Sequence, residues 1–274
     1  MSNYCFANHK IQPIENAGVP VSDLLVQRGY GIFDFLRVAN NKAVFIEDHL
    51  DRFFNSASIM RLTIEQSRED IKTIVKELIA KNNMPYSGLR LIIAGGDAPD
   101  GYTIEKPHLI IIQAPLAKPS EQLPTNTLKL VSYNYQRQIP EVKTTDYLMA
   151  VWLQPWMKEN GGNDILYHKD GWVSECPRSN FFMLTQDNVL VTPEINMLKG
   201  ITRKNIIKVA KQNGIALEER KINISEFVTA KEAFISSSTK RIVPVHQIDD
   251  TLIKSDYSDS FAHKIYDLLL ALEN

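Results

Sequence analysis

The sequence predicts two domains of mixed α/β and α+β class, the second richer in strand, and three observations predict it. The chain has 274 residues, enough for two modest cores. Its first half alternates strand-like apolar runs with helix-period runs. Pro115, Pro119 and Pro124 then cluster among Lys, Ser and Glu, the composition of an interdomain linker. These place an N-terminal α/β domain at 1–114, a linker at 115–125 and a C-terminal domain at 126–274.

The elements follow in order. Gly31 to Val38 is apolar and aromatic, Asn40-Asn41 reads as a turn, and Ala43 to Ile46 reads as a return strand. A helix is expected from Asp48 to about Met60. A second begins at Ser67, where Ser67-x-x-Asp70 has capping-box spacing. Its Ile71, Ile74, Val75, Leu78 and Ile79 share one helical face. Leu89 to Ala94 and Leu109 to Ala114 are continuous apolar runs, as buried strands are. Beyond the linker come a strand near Leu128 to Tyr133 and a helix after Thr145. Hairpins are expected at Asp170-Gly171 and at Gln186-Asp187-Asn188. A helix from about Thr202 stops at Asn213-Gly214, and a last one runs from about Asp256 to Leu272.

Composition excludes several function classes. The formal net charge is -1, so no basic excess points to nucleic acid. No apolar run approaches the ~20 residues that span a bilayer, and the N-terminus lacks the charged and apolar regions of a signal peptide. Cys5 and Cys176 are far apart and the six histidines are scattered. A reduced, cytoplasmic setting without a metal site is expected.

The segment with the most chemistry runs from Glu175 to Arg203. Glu175-Cys176-Pro177-Arg178-Ser179-Asn180-Phe181-Phe182 is followed by Leu190-Val191-Thr192 and then by Leu198-Lys199-Gly200-Ile201-Thr202-Arg203. Gly200-Ile201-Thr202 opening a helix offers backbone N–H groups and a hydroxyl to a phosphate. As a whole the segment resembles the signature of class IV aminotransferases, the fold-type IV pyridoxal-phosphate enzymes. Two departures stand out: Pro177 sits where a small residue is usual, and the gap from Thr192 to Leu198 is one residue short.

The resemblance implies a fold-type IV enzyme with pyridoxal 5'-phosphate between its two domains. It assigns Glu175 to the pyridine nitrogen, where a carboxylate keeps the ring protonated as an electron sink. Lys143, in Lys143-Thr144-Thr145-Asp146-Tyr147-Leu148, lies 32 residues before Glu175 and looks like the family's Schiff-base lysine. Tyr147 would neighbour the phenolic oxygen. In His49-Leu50-Asp51-Arg52, Arg52 would grip the phosphate, for which a planar guanidinium is suited. Ile201 and Thr202 would meet the same phosphate. So would Ser237 and Ser238, in a Ser-rich turn whose next residue, Thr239, faces the substrate carboxylate.

The chemistry implied is α-proton removal with Lys143 as base, followed by a second half-reaction that gives ping-pong kinetics. Arg90 resembles the family's strand cation near the carboxylate. Phe33, in Gly31-Ile32-Phe33-Asp34-Phe35, would sit near the substrate side chain. Arg28, Arg178 and Lys240 add positive charge that suits a second carboxylate. The expected activity is transfer from a small or branched-chain amino acid to 2-oxoglutarate, by a homodimer. The alternative within the family is aminodeoxychorismate lyase, releasing pyruvate and 4-aminobenzoate. Ala94-Gly95-Gly96, where D-amino-acid enzymes carry an arginine, argues against a D-specialist.

Overall fold

The computed structural model describes residues 3–118, 120–254 and 256–273. They fall into two compact units, Met1–Lys118 with Val142–Asp146, and Pro119–Glu141 with Tyr147–Asn274. The segment carrying Lys143 thus belongs with the first unit, whereas the sequence reading put all of 126–274 in the second domain.

In the first unit, β1 (Tyr4–Ala7) and β2 (Lys10–Pro13) form a hairpin, and α1 (Leu24–Arg28) leads into β3 (Gly31–Ala39). There follow β4 (Lys42–Ala43), α2 (Ile46–Ile59), α3 (Arg68–Asn82), β5 (Tyr86–Ala94) and β6 (His108–Pro115). The sheet order is β2-β1-β6-β5-β3-β4. Leu89, Leu91 and Ile93 on β5 and Ile32, Leu36 and Val38 on β3 are buried, as are Leu50 and Phe53 of α2 and Ile71, Val75 and Leu78 of α3. Ser67 caps α3 with the expected reciprocal capping box to Asp70. The expected return strand over Ala43 to Ile46 shrinks to β4, because Phe45 turns left-handed and Ile46 already starts α2. Glu47 and Asp48 in that first turn favour the helix end.

The second unit begins with β7 (Leu128–Asn134), α4 (Leu148–Trp152), α5 (Gln154–Glu159), β8 (Asp164–Lys169), β9 (Trp172–Val173) and β10 (Glu175–Cys176). Then come β11 (Ser179–Leu184), β12 (Leu190–Thr192), α6 (Ile201–Gln212), β13 (Leu217–Glu219), β14 (Glu232–Ser237), β15 (Arg241–Ile248), β16 (Thr251–Leu252) and α7 (Phe261–Glu273). The sheet runs β13-β12-β11-β14-β15-β7-β8-β9, with β10 on β11 and β16 on β15. Because β10 pairs with β11 and also packs on β8, the sheet curls on itself.

Every residue of β11 is buried because both its faces are covered. Phe181 and Met183 enter one core with Leu166, Ile235 and Val245. Phe182 enters another under α6 and α7, stacked on Phe234 at 5.0 Å. The single helix expected after Thr145 is two short ones, since Pro155 in the first turn of α5 cannot continue a ladder. The last helix starts at Phe261 rather than Asp256. Its first N–H groups, on Phe261 and Ala262, donate to the buried Glu232 carboxylate on β14 at 3.1 and 3.0 Å, and this fixes the start.

Candidate active site

Beyond its short pairing with β4, one edge of β3 is occupied by the Lys143 segment. The Phe33 N–H donates to the Lys143 carbonyl at 2.9 Å and the Thr145 N–H to the Gly31 carbonyl at 3.0 Å. The Thr145 hydroxyl donates to the Gly29 carbonyl at 2.7 Å. Pinned this way, Lys143 is half-buried and holds its Nζ 4.6 Å from the Phe33 ring centroid. The Arg90 guanidinium stands 5.6 Å from the same ring. Arg90 lies mid-strand in β5, opposite Phe35. The first unit therefore brings Lys143, Phe33 and Arg90 together.

Successive strand residues face opposite sides, so Asp34 turns from Phe33 toward α2 and is fully buried. Arg52 meets it bidentately, Nε to Oδ2 and Nη2 to Oδ1, both at 2.8 Å. His49 Nδ1 lies 2.6 Å from Oδ1. Burial alone would raise the Asp34 carboxyl, but Arg52 and His49 more than reverse this and hold it well below the carboxylate range. Burial pushes His49 down, and the charges of Arg52 and Lys143 add to it against the pull of Asp34. His49 is thus neutral near pH 7, its Nδ1–H assigned as the donor to Asp34. Arg28 is exposed on α1, and its guanidinium donates to the Gln27 carbonyl at 3.1 Å. No hydrogen bond among the described residues draws it into the Lys143 group.

In the second unit Glu175 is 6% exposed on β10. Arg137 donates to its Oε1 through Nε at 2.8 Å and Nη2 at 2.7 Å, and the Leu198 N–H donates to Oε2 at 3.0 Å. Gly200 is the N-cap of α6 and supplies no side-chain cap. The helix-opening N–H groups behind it, including those of Ile201 and Thr202, have no carbonyl within the helix to meet. A Cβ on Gly200 would collide with Asn180 Oδ1, so glycine is required by close approach. Ser237 ends β14, and Ser238, Thr239 and Lys240 turn into β15. Ser237 and Ser238 are half-buried and Thr239 is exposed. Tyr147 is the half-buried N-cap of α4.

Lys240 and the exposed Arg178 share an acidic neighbour that sequence reading missed. Asp164, buried at the start of β8, has Oδ2 3.9 Å from Lys240 Nζ. Burial pushes its carboxyl up, against the opposing charges of Lys240 and Arg178. The partners Asp34 and Arg137 were missed as well. Asp34 sits inside a matched segment, yet only the fold shows which way it points, and Arg137 has no local pattern. A surface groove of about 290 Å³ between Trp172, Ile195 and Lys221 contains none of the expected site residues.

A family model described as amino-transferase class IV matches residues 31–248. The chain is similar to D-alanine aminotransferase of Bacillus licheniformis, 25% identical over 252 residues covering 90% of this chain and 89% of that protein. It is likewise similar to a putative branched-chain-amino-acid aminotransferase of Methanocaldococcus jannaschii, 27% identical over 95% of this chain and 93% of that protein. Among solved structures, a branched-chain amino acid aminotransferase of Escherichia coli superposes with a TM-score of 0.91 at 24% identity. That likeness covers all of this chain and 95% of the other.

Proposed function

The chain belongs to the class IV aminotransferase family, and on that premise we propose that it moves the amino group of a small or branched-chain amino acid to 2-oxoglutarate, as a cytoplasmic homodimer. Class IV aminotransferases use pyridoxal 5'-phosphate, which supplies an electron sink for the charge left by the α-proton. The residues present fit that group. Glu175 offers a buried carboxylate suited to a protonated ring nitrogen. The uncapped start of α6 offers N–H groups suited to a phosphate.

In this reading Lys143 holds the cofactor and carries the proton to and from the substrate α-carbon through its Nζ. Arg52, Ile201, Thr202, Ser237 and Ser238 bind the phosphate, and Tyr147 orients the ring through its hydroxyl. Thr239 and Arg90 receive the substrate carboxylate. The observation that carries the substrate class is the Phe33 ring 4.6 Å from Lys143 Nζ. An aromatic wall beside the base favours an aliphatic side chain and excludes water. The relatives named D-alanine aminotransferase give D-alanine a second place as donor.

The test loads the protein with the cofactor, reduces it with borohydride and maps the adduct by mass spectrometry. It then assays branched-chain amino acids and both alanine enantiomers against 2-oxoglutarate. An adduct on Lys143, lost in Lys143→Ala, with turnover of the branched-chain donors is expected. Turnover of D-alanine alone would move the assignment to the D-enzymes. Pyruvate released from aminodeoxychorismate without an acceptor would make it the lyase. A protein that takes up no cofactor sinks the reading.

A further inference from the structure

We propose that Asp34 is a positioning residue for the phosphate grip of Arg52, an inference that rests on the reading of Arg52 given above. Arg52 and His49 stand one turn apart on α2 and both meet the Asp34 carboxylate. That carboxylate is fully buried and the Arg52 side chain only 10% exposed. Charge-assisted bonds in such surroundings are short and strongly directional. Two parallel bonds to one carboxylate set the plane of the guanidinium, and its five N–H donors form a rigid fork. With two of them committed to Asp34, the direction of the other donors is set as well. A phosphate arriving there meets an ordered cation, and the binding equilibrium does not have to order a flexible side chain.

His49 completes the clamp. Its bond to Oδ1 holds the carboxylate from a second side, and its neutral ring adds no charge beside Arg52 and Lys143. The guanidinium is held this way beside the strand that carries Phe33.

The experiment compares equilibrium binding of pyridoxal 5'-phosphate and of pyridoxal, which lacks the phosphate, to cofactor-free wild type, Asp34→Asn and Asp34→Glu. Competition by inorganic phosphate is measured in parallel. Asp34→Asn is expected to weaken the phosphorylated ligand about 10- to 100-fold, the range for losing an outer partner of a binding group. Pyridoxal binding should not change. Asp34→Glu, which keeps the charge one methylene further out, should recover part of the loss. If Asp34→Asn does not fold, Asp34→Glu carries the test with a smaller loss of preference for the phosphorylated ligand. Equal weakening of both ligands, or an unchanged preference, overturns the inference while leaving the family reading intact. A wild type that binds neither ligand overturns both.

Discussion

Glu175→Gln separates what the carboxylate does for the fold from the part proposed for it in the chemistry. In the second unit its side chain is 8% exposed and that of Arg137 is 19% exposed, with two N–H donors converging on Oε1. Glutamine keeps the shape and an acceptor for the Leu198 N–H, but it removes the carboxylate charge that the guanidinium meets. Removing one partner of a buried pair costs about 3–5 kcal/mol, and the residual exposure of Arg137 argues for the lower end. At roughly 2–4 °C per kcal/mol for a unit of this size, the melting temperature should fall by about 6–12 °C. Activity should fall further, on the order of 10²–10³-fold, the scale for deleting a preorganised charge at the reacting centre. Arg137→Met should cost similar stability. The double variant removes both charges, so its loss should be smaller than the two single losses added, by about 0.5–3 kcal/mol. Thermal melts with urea titrations measure the stability, and single-turnover kinetics measure the chemistry. Additive stabilities would refute the ion pair as a structural element. Activity restored together with stability in the double variant would refute a role for Glu175 at the cofactor ring.

Gly200→Ala forces Asn180 to turn away and give up its 2.7 Å bond to the Leu198 carbonyl. About 1–3 kcal/mol should be lost, with weaker cofactor retention, and a variant as stable as wild type counts against the close approach. Asp164→Asn tests a raised carboxyl. The raised pKa makes Asp164 a stability cost that grows as pH rises past the ordinary carboxylate value, and Lys240 can turn to water. The melting temperature should therefore rise at pH 8 and change little at pH 4; a fall at pH 8 means the ion pair outweighs burial. Asp34 and His49 are both depressed, so they stabilise the fold above their unfolded values of about 3.9 and 6.5 and lose that contribution as pH falls. Wild type should lose stability from about pH 6 downward, and His49→Gln should flatten the first part of that limb.

Much of the fold was legible because its signals are local. Asn40 and Asn41 take the left-handed conformation that their turn requires. Ser67 and Asp70 cap α3 as their spacing says, and Gly214 turns the chain after α6 with a φ of +63°. At α7 a distant residue decides. Glu232 on β14 sets the start of α7, and nothing near Asp256 announces it. Pro155 splits the helix after Thr145, and that much was present in the sequence.

The candidate site divides along the same line. Lys143, Glu175 and the start of α6 lie in contiguous segments whose residue types carry their chemistry, so a motif can point to them. Their partners are set by the fold. Arg137 lies 38 positions from Glu175 and Asp34 lies 18 from Arg52. No periodicity links such pairs, because it is strand direction and helix face that bring them together. Charge in a buried place needs a counter-charge, and that rule could have prompted a search. A buried Glu175 and a half-buried Arg52 each require a partner of opposite sign. Burial, however, is the one property of those residues that their own types argue against. Sequence reading therefore reaches the groups proposed to do the chemistry before it reaches the groups that hold them, and the holding groups are where the variants above are most informative.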